Sequence, residues 1–355
     1  MLRAIVALSL AVPLAAQQPD PGYRVGVVSE AGDIVTWLRP SAKGLAVERV
    51  VQVGTMPSDN DGPHHLAIAP DGKSYYVSIA HGTPFGSLWK LDAADAYVGR
   101  AQTELFPTTI ALTPDGQYAF VANSDFHGDH PRENVVTVVH TPTMRKVTDL
   151  PACDMPHGVR SNRAGTRVYV SCMHSDEILE LDIGTLKLVR RVSTGAGHST
   201  SGHGAACAPT YVSVAPDDRR LYVACNTANT LQVWDATSLT RVGELPAGKG
   251  AYNVEPSPDG RLVLVTNKKD RSVSIVDAVS LKEIARVPTS KPVVHGIAFS
   301  PDSRVAYISC ESVGSDPGAV DMIDLAARKV VASIPVPGQP TGIAVGSLRP
   351  AHSTH

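Results

Sequence analysis

A short run of apolar residues, a tight turn and a second apolar run recur along most of the chain. The turn reads Pro-Asp-Gly in Pro70–Gly72, Pro114–Gly116 and Pro258–Gly260, and it varies in other copies. Within the runs, apolar and polar residues alternate in stretches with the period of two that favours β-strands. Successive turns end at residues 72, 116, 165, 218, 260 and 303. A repeat of about 40–50 residues built from strands predicts a β-propeller, whose blades stack around a central axis.

Each repeat supplies four strands, enough for one blade. In the repeat that begins at Pro209, the four runs are Tyr211–Ala215, Arg220–Cys225, Thr230–Asp235 and Thr240–Leu245. Gly, Pro, Asn and Asp separate the runs, and these residues favour turns. The fold class is therefore predicted to be all-β.

The two ends of the repeat region each hold part of one more blade. Six complete repeats fit between Pro63 and Gly338, and Pro340–Val345 is a first strand with no successor. Strands two to four without a first strand are found at Tyr23–Ser29, Asp33–Leu38 and Val47–Val53. Joining these pieces removes an open sheet edge, so we predict seven four-stranded blades over residues 23–349, closed by the C-terminal strand.

Four of the second strands share a motif that ends in Asn or Cys. The copies are Ala119–Asn123, Val168–Cys172, Tyr222–Asn226 and Val263–Asn267. This motif resembles that of the YVTN β-propeller family, and the resemblance covers essentially the whole chain after residue 22. It implies the propeller fold but no particular activity, because propellers host many unrelated functions. The chain departs from the family in having Cys at 172, 225 and 310, where Asn is usual.

The N-terminus differs from the repeats. Met1-Leu2-Arg3 is followed by an apolar stretch from Ala4 to Leu14 and by small residues before Gln17, as in a signal peptide. We therefore predict a signal peptide at 1–16, a linker at 17–22 and a flexible tail at 350–355. The apolar stretch is too short for a membrane span, so the protein is expected to be periplasmic or secreted.

Composition excludes some partners. The net charge is −2, with 43% hydrophobic and 19% charged residues, which is ordinary for a globular protein. A general nucleic-acid binder needs a basic excess that is absent here. We expect a monomer that binds a small molecule or a protein at one end of its channel.

Five cysteines cannot all pair within one chain. Cys153 and Cys207 lie in predicted loops, and the other three end second strands. A disulfide is plausible among the loop cysteines or those of neighbouring blades, and at least one thiol must stay free, bind a metal or pair with another molecule. No Cys-x-x-Cys-His motif is present, so no c-type haem is expected.

Histidines concentrate at one end of the predicted channel. The residue eight positions before each turn forms a column at the start of the innermost strands, consisting of His64, Thr108, His157, Thr210, Tyr252, His295 and Thr341. Loops on the same face carry more histidines, so that ten of the 13 histidines map to this end, which we call the mouth. Two insertions on this face, at 125–130 and 195–208, are long enough to shape a binding site.

Imidazole is a good ligand for copper, zinc, iron and nickel. We therefore predict a transition-metal site, with copper favoured, whose inner ligands are His64, His157 and His295. The further candidate ligands are His65, His127, His130, His198 and His203. Redox activity is one possibility for such a site, whereas a non-catalytic YVTN propeller that binds a small molecule or protein is the alternative. A single histidine at such a rim is more often structural than a ligand.

The Pro63-His64-His65 sequence has a looser resemblance to the adjacent histidines in the propeller domain of nitrous-oxide reductases, which holds a copper cluster. That family's other ligands have no counterparts here that match residue by residue, and its cupredoxin domain is missing, so its activity is not transferred. Copper-dependent propeller oxidases of the selenium-binding type and propellers that hold haem d1 are more distant analogues.

Overall fold

The computed structural model describes residues 21–41, 44–55, 60–81, 85–124, 134–195, 205–314 and 316–349. These residues form 28 β-strands and one short 3₁₀ helix, Glu30–Gly32. The strands are, in chain order, β1 (Arg24–Ser29), β2 (Ile34–Ser41), β3 (Gly44–Gln52), β4 (Pro63–Ile68), β5 (Ser74–Ile79), β6 (Ser87–Asp92), β7 (Tyr97–Gln102), β8 (Pro107–Leu112), β9 (Tyr118–Asn123), β10 (Val135–His140), β11 (Arg145–Pro151), β12 (Pro156–Ser161), β13 (Arg167–Cys172), β14 (Glu177–Asp182), β15 (Lys187–Ser193), β16 (Pro209–Val214), β17 (Arg220–Cys225), β18 (Thr230–Asp235), β19 (Thr240–Pro246), β20 (Ala251–Pro256), β21 (Leu262–Asn267), β22 (Ser272–Asp277), β23 (Lys282–Pro288), β24 (Val294–Phe299), β25 (Val305–Cys310), β26 (Gly318–Asp324), β27 (Lys329–Val336) and β28 (Pro340–Gly346).

The strands form seven four-stranded antiparallel sheets, which are the blades of a propeller. Blade 1 has the order β28-β1-β2-β3, and blades 2 to 7 take β4 to β27 four at a time. The all-β, seven-bladed fold predicted from the sequence is thus confirmed.

The C-terminal strand closes the ring as predicted. In the antiparallel ladder between β28 and β1, Ala344 lies opposite Gly26 and Val345 lies opposite Val25. Gly26 has no room for a side chain, because a Cβ there would lie 2.4 Å from Leu66 Cδ2 in blade 2. The β2–β3 hairpin is longer than predicted, since its ladder continues to Ser41 opposite Gly44.

The hydrophobic core lies between neighbouring blades rather than in one central mass. One cluster, for example, joins Phe120 and Val136 of blade 3 to Val159 and Val170 of blade 4. Burial between successive sheets drives each blade onto the next. This stacking brings the innermost strands of all seven blades together around the axis.

The repeated turns keep one geometry despite their different sequences. Glycine takes a positive φ in four of them, for example Gly72 with 70°. Asp218 and Ser303 hold the equivalent conformation with φ of 59° and 58° where glycine is missing. The equal turns explain why counting back from them locates equivalent residues in different blades.

In the part of the chain that the structure describes, no helix is long and apolar enough to cross a membrane.

Candidate functional site

The second residue of each innermost strand stands at an interruption of the sheet ladder. In blade 4, Pro156 pairs with Cys172, but the next pair is Val159 with Val170. Comparable irregularities occur in the innermost ladder of the other six blades. A bulge re-aims the side chains beside it, and here it coincides with the column of residues found in the sequence.

Four rings of this column meet at the axis. The ring centroids of His64 and His295 are 5.5 Å apart, those of His64 and His157 6.1 Å, and those of Tyr252 and His295 4.7 Å. All four side chains are buried. The structure thus brings together the three predicted inner histidines and adds Tyr252 to them, and we call these four residues the ring cluster.

The other three members of the column are threonines that join one blade to the next. Their hydroxyls donate hydrogen bonds to the backbone carbonyl of the column residue in the following blade: Thr108 to His157, Thr210 to Tyr252 and Thr341 to His64. In the other four blades a hydroxyl at the fifth position of the second strand does this instead: Ser78 donates to Thr108, Ser171 to Thr210, Thr266 to His295 and Ser309 to Thr341. Seven hydroxyls therefore reach the seven column carbonyls in a closed circle, which we call the hydroxyl belt.

The belt follows a strict complementarity between two sequence positions. Blades with threonine in the column have a residue without a hydroxyl, namely Val28, Ala122 or Ala224, at the fifth position of the second strand. Blades with a ring in the column have serine or threonine there. In these blades the column residue therefore does not have to donate the hydrogen bond to the next blade that threonine donates elsewhere. The side chains of the ring cluster are thus not needed to close the hydroxyl belt.

His157 is held in one neutral form by two hydrogen bonds. Its Nδ1–H donates to the Thr210 carbonyl oxygen over 2.9 Å, which leaves Nε2 to accept the Tyr252 hydroxyl over 3.1 Å. Burial, followed by the nearby His64 and Lys268, lowers the pKa of His157 to about 3. The imidazole is therefore uncharged at neutral pH and has no nitrogen left for a metal.

His64 has one ring nitrogen bound and the other without a hydrogen-bond partner. Its Nδ1 is paired with Glu30 Oε1, at the start of the 3₁₀ helix that follows β1. Burial alone would raise the pKa of Glu30, but the adjacent His64 lowers it below its usual value. His64 Nε2 is buried and makes no hydrogen bond to any of the described residues. A carboxylate on Nδ1 with an available Nε2 is the arrangement of general bases and of metal-bound histidines.

His295 is the most weakly bonded member of the cluster. Neither of its ring nitrogens makes a hydrogen bond, although Nε2 lies 3.8 Å from Glu311 Oε1. Lys268 Nζ is 2.7 Å from the same carboxylate oxygen and 4.2 Å from the centroid of the Tyr252 ring. Burial first, and then Lys268 and the other histidines, hold the pKa of His295 well below its usual value. The imidazole is therefore neutral and has both nitrogens unsatisfied.

The remaining predicted histidines do not belong to the ring cluster. His65 is buried at the next position of β4, where its Nδ1 accepts the Ile110 backbone N–H over 3.4 Å. His127, His130, His198 and His203 lie outside the described residues. His81 extends the mouth, because its ring and that of His64 both pack on Phe106, with centroids 5.2 and 5.6 Å away.

Sequence reasoning missed Glu30, Phe106 and Tyr211 as parts of this site. Glu30 follows the second strand of blade 1, and loops at that position were placed on the mouth face, so the same count would have found it. Phe106 lies in the loop that leads into β8, on the same face. Tyr211 is one residue after the column, and nothing in its local sequence indicated that it reaches the axis.

Two disulfides fix loops at the mouth. Cys153–Cys172 and Cys207–Cys225 each join the loop before an innermost strand to the end of the neighbouring second strand. In blade 6 Asn267 makes the equivalent connection, since its Oδ1 accepts the Gly248 N–H over 2.9 Å. The cysteines that depart from the YVTN motif thus replace a hydrogen bond by a covalent one in blades 4 and 5. The fifth cysteine, Cys310, is buried and unpaired.

A sequence comparison relates part of this propeller to a haem domain. The family model of the cytochrome d1 haem domain matches residues 201–309 and 261–347. No curated protein sequence matches the chain. The matched region includes Tyr252, His295 and the closing strand. A propeller of this general kind is therefore supported, whereas membership of the YVTN family stays a prediction.

Solved structures with the same fold belong to proteins with different activities. The periplasmic gluconolactonase PpgL of Pseudomonas aeruginosa superimposes with a TM-score of 0.74 at 19% identity, covering 92% of this chain and 99% of that one. The dihydro-haem d1 dehydrogenase NirN, in complex with DHE, gives 0.61 at 17%, covering 95% and 78%. Hydrazine synthase of Kuenenia stuttgartiensis gives 0.67 at 20%, covering 84% and 93%. Identities this low establish the fold alone.

The cofactor predicted from the sequence needs correction. Copper or another transition metal, without c-type haem, was expected, but the family match points to a haem-type cofactor. The missing Cys-x-x-Cys-His motif concerns covalent attachment only and does not bear on a haem held without such bonds. Among the described residues, no group of three or more His, Cys, Asp or Glu side chains is placed to hold a metal ion. The physical reason is that the column rings meet one another instead of surrounding a shared point, and His157 uses both nitrogens within the protein.

Proposed function

We propose that this protein is an exported propeller that binds a haem-type tetrapyrrole at the mouth of its channel, with His64 as its main contact to the iron. The observation that carries the proposal is the buried His64 Nε2, which has no hydrogen-bond partner while Glu30 holds Nδ1. Histidines that bind metals commonly donate their other ring N–H to a carboxylate, which fixes the tautomer and raises ligand basicity. The sequence match to a haem domain supports the same cofactor class.

The residues of the mouth suit this role in different ways. Glu30 keeps the proton of His64 on Nδ1 and so leaves the lone pair on Nε2 free for a metal. Phe106 supplies an apolar wall beside His64, where a flat macrocycle is able to pack. When bound, a haem supplies redox or ligand-binding chemistry at its iron, tuned by the axial ligand and its surroundings.

Ring centroids only 4.7 to 6.1 Å apart fill the axis at the level of the ring cluster. A tetrapyrrole would therefore approach from the mouth, and the His64 side chain would have to turn its buried Nε2 towards that side to reach the iron. His127, His130, His198 and His203 lie outside the described residues and remain the predicted candidates for further contacts.

Export is part of the proposal. Two disulfides between described residues suit an oxidising compartment. The predicted signal peptide at 1–16 gives the route, and the periplasm or the exterior is the predicted destination. The disulfides also tie the lead-in loops of blades 4 and 5 to the neighbouring second strands at the mouth.

The test is a titration of the purified mature protein with haem, followed by the Soret absorption band. We expect saturable binding by the wild type and at least tenfold weaker binding by His64→Ala. Glu30→Gln should bind with intermediate affinity and an altered spectrum. His140→Ala is the matched control, because His140 lies at the end of β10 that is away from the mouth and its Nδ1 pairs with the Thr143 hydroxyl. Absence of binding by the wild type, or equal binding by His64→Ala, would contradict the proposal.

A hydrolase is the second candidate, favoured by the same histidine–carboxylate pair. Glu30 and His64 have the arrangement of an oriented general base, and one structure with this fold is a gluconolactonase. Hydrolysis of gluconolactone releases acid, and the base needed to hold the pH constant measures its rate. Comparing this rate for the wild type, His64→Ala and His140→Ala separates the two candidate functions. Activity that is lost only in His64→Ala, without haem binding, would favour the hydrolase.

A further inference from the structure

A continuous line of polar groups extends along the axis below the ring cluster. The Tyr211 ring lies 5.2 Å from His157 and 5.6 Å from Tyr252, measured between centroids. On the other side of Tyr211, the Arg160 guanidinium carbon is 5.7 Å from the ring centroid. Arg160 Nε donates to Glu255 Oε1 over 3.1 Å. Tyr211 therefore connects the histidines to an ion pair that lies further from the mouth.

Several buried polar atoms along this line have no hydrogen-bond partner among the described residues. They are His64 Nε2, His295 Nδ1 and Nε2, and Asn253 Oδ1. The Tyr211 and Thr109 hydroxyls beside them interact with each other. Each belongs to the second or third residue of an innermost strand. Folded proteins leave few such groups unsatisfied, because each costs free energy, and ordered water is a frequent explanation. Their concentration on one axis indicates a shared partner.

The innermost strands carry mostly small side chains further from the mouth. The fifth residue of the innermost strand is alanine in four blades, namely Ala67, Ala111, Ala298 and Ala344. The other three blades have Arg160, Ser213 and Glu255 there, and the Ser213 hydroxyl donates to Glu255 over 2.7 Å. The side chains of Arg160 and Glu255 retain 20% and 19% exposure although they stand on innermost strands. The partly exposed charged groups at this level indicate that solvent reaches the lower channel, and polar groups favour ordered water beside them.

We infer that ordered water occupies the axis from the Arg160–Glu255 pair to the ring cluster and forms a second route for water and protons to the histidines. Solvent would enter at the face opposite the mouth and pass Tyr211 to reach His295 and His64. A ligand that covers the mouth would then not isolate these imidazoles from water. The inference concerns the channel itself and holds whether or not a tetrapyrrole binds.

The first test uses the double variant Tyr211→Phe/Thr109→Val, which removes both interacting hydroxyls together and keeps the shapes of the side chains. If the two hydroxyls also bind water, the double change should lower the melting temperature by about 1–3 °C, because hydrogen bonds to water are lost. If the axis is dry, removing both partners of the pair should leave the melting temperature unchanged or raise it. Tyr97→Phe is the control, since Tyr97 is 54% exposed and should show no change.

The second test addresses the route. Ala67→Leu narrows the lower channel, and NMR then measures how fast the His295 ring N–H exchanges with solvent. We expect exchange at least tenfold slower than in the wild type, with a matching loss of water peaks beside Tyr211 in a high-resolution crystal structure. Unchanged exchange, or no water beside Tyr211 in the wild type, would overturn the inference. Neither readout depends on haem binding, so a failure here is distinct from a failure of the proposed function.

Discussion

The hydroxyl belt makes a quantitative prediction for Ser171→Ala in blade 4. The Ser171 hydroxyl accepts the Gly158 N–H over 3.0 Å and donates to the Thr210 carbonyl over 2.9 Å. The change leaves the buried Gly158 N–H without a partner, which costs about 1–3 kcal/mol, and removes a second hydrogen bond worth about 1 kcal/mol. Thr210 O keeps its bond from His157, so we expect a total loss of about 2–3 kcal/mol.

This loss is measurable by calorimetry or by urea unfolding. At about 2.1 cal/mol/K per residue, the unfolding entropy of a chain of this length is about 0.7 kcal/mol/K, so the melting temperature should fall by about 3–4 °C. Ala122→Ser is the matched control at the equivalent position of blade 3. Thr108 already donates to the His157 carbonyl there, so the new hydroxyl should give no stabilisation.

A double-mutant cycle tests the complementarity directly. With His157→Thr, the column residue of blade 4 becomes the type found in blades 3, 5 and 1, and its hydroxyl is able to donate to Thr210 O. Ser171→Ala should then cost about 1 kcal/mol less than it does beside His157. An equal cost in both backgrounds, or a cost below about 0.5 kcal/mol in the wild type, would refute the reasoning.

Two further predictions concern acid stability and the disulfides. Burial holds the pKa values of His65, His157 and His295 below normal, with about 3 for His157, so the folded state binds these protons less readily than the unfolded state. The contribution of these histidines to stability should therefore be fully present above about pH 6.5 and should be lost as the pH falls towards 3. Each histidine should lower the free energy of unfolding by about 1.4 kcal/mol per pH unit in that range. His157→Gln should reduce the slope of the urea-unfolding free energy against pH by about 1.4 kcal/mol per pH unit. Reduction of the Cys207–Cys225 bridge, which spans 18 residues, should cost about 3 kcal/mol in thermal unfolding. An unchanged midpoint with reductant would show that the bridge does not form.

Much of the architecture was readable from the sequence because the repeat is local. The strand runs and turns fix the length of each blade unit. The incomplete sets of strands at the two ends of the repeat region indicated how the ring closes. Counting from the turns also placed His64, His157 and His295 in one column, because equivalent positions of equal blades meet around the axis. The Asn-to-Cys departures identified Cys172 and Cys225 as unusual but did not reveal their partners.

The tertiary structure decided which atoms of these residues are available, whereas the match to a haem domain corrected the copper prediction. Three histidines in one column suggested a shared ion, but packing between blades gives both nitrogens of His157 to Thr210 and Tyr252. Glu30, which follows β1 in the blade where the ring closes, holds one nitrogen of His64. Hydrogen-bond partners of this kind come from distant segments, and their choice depends on ångström-scale distances between blades. A sequence period gives the position of a side chain around the axis, whereas only the packed ring determines what each polar atom touches.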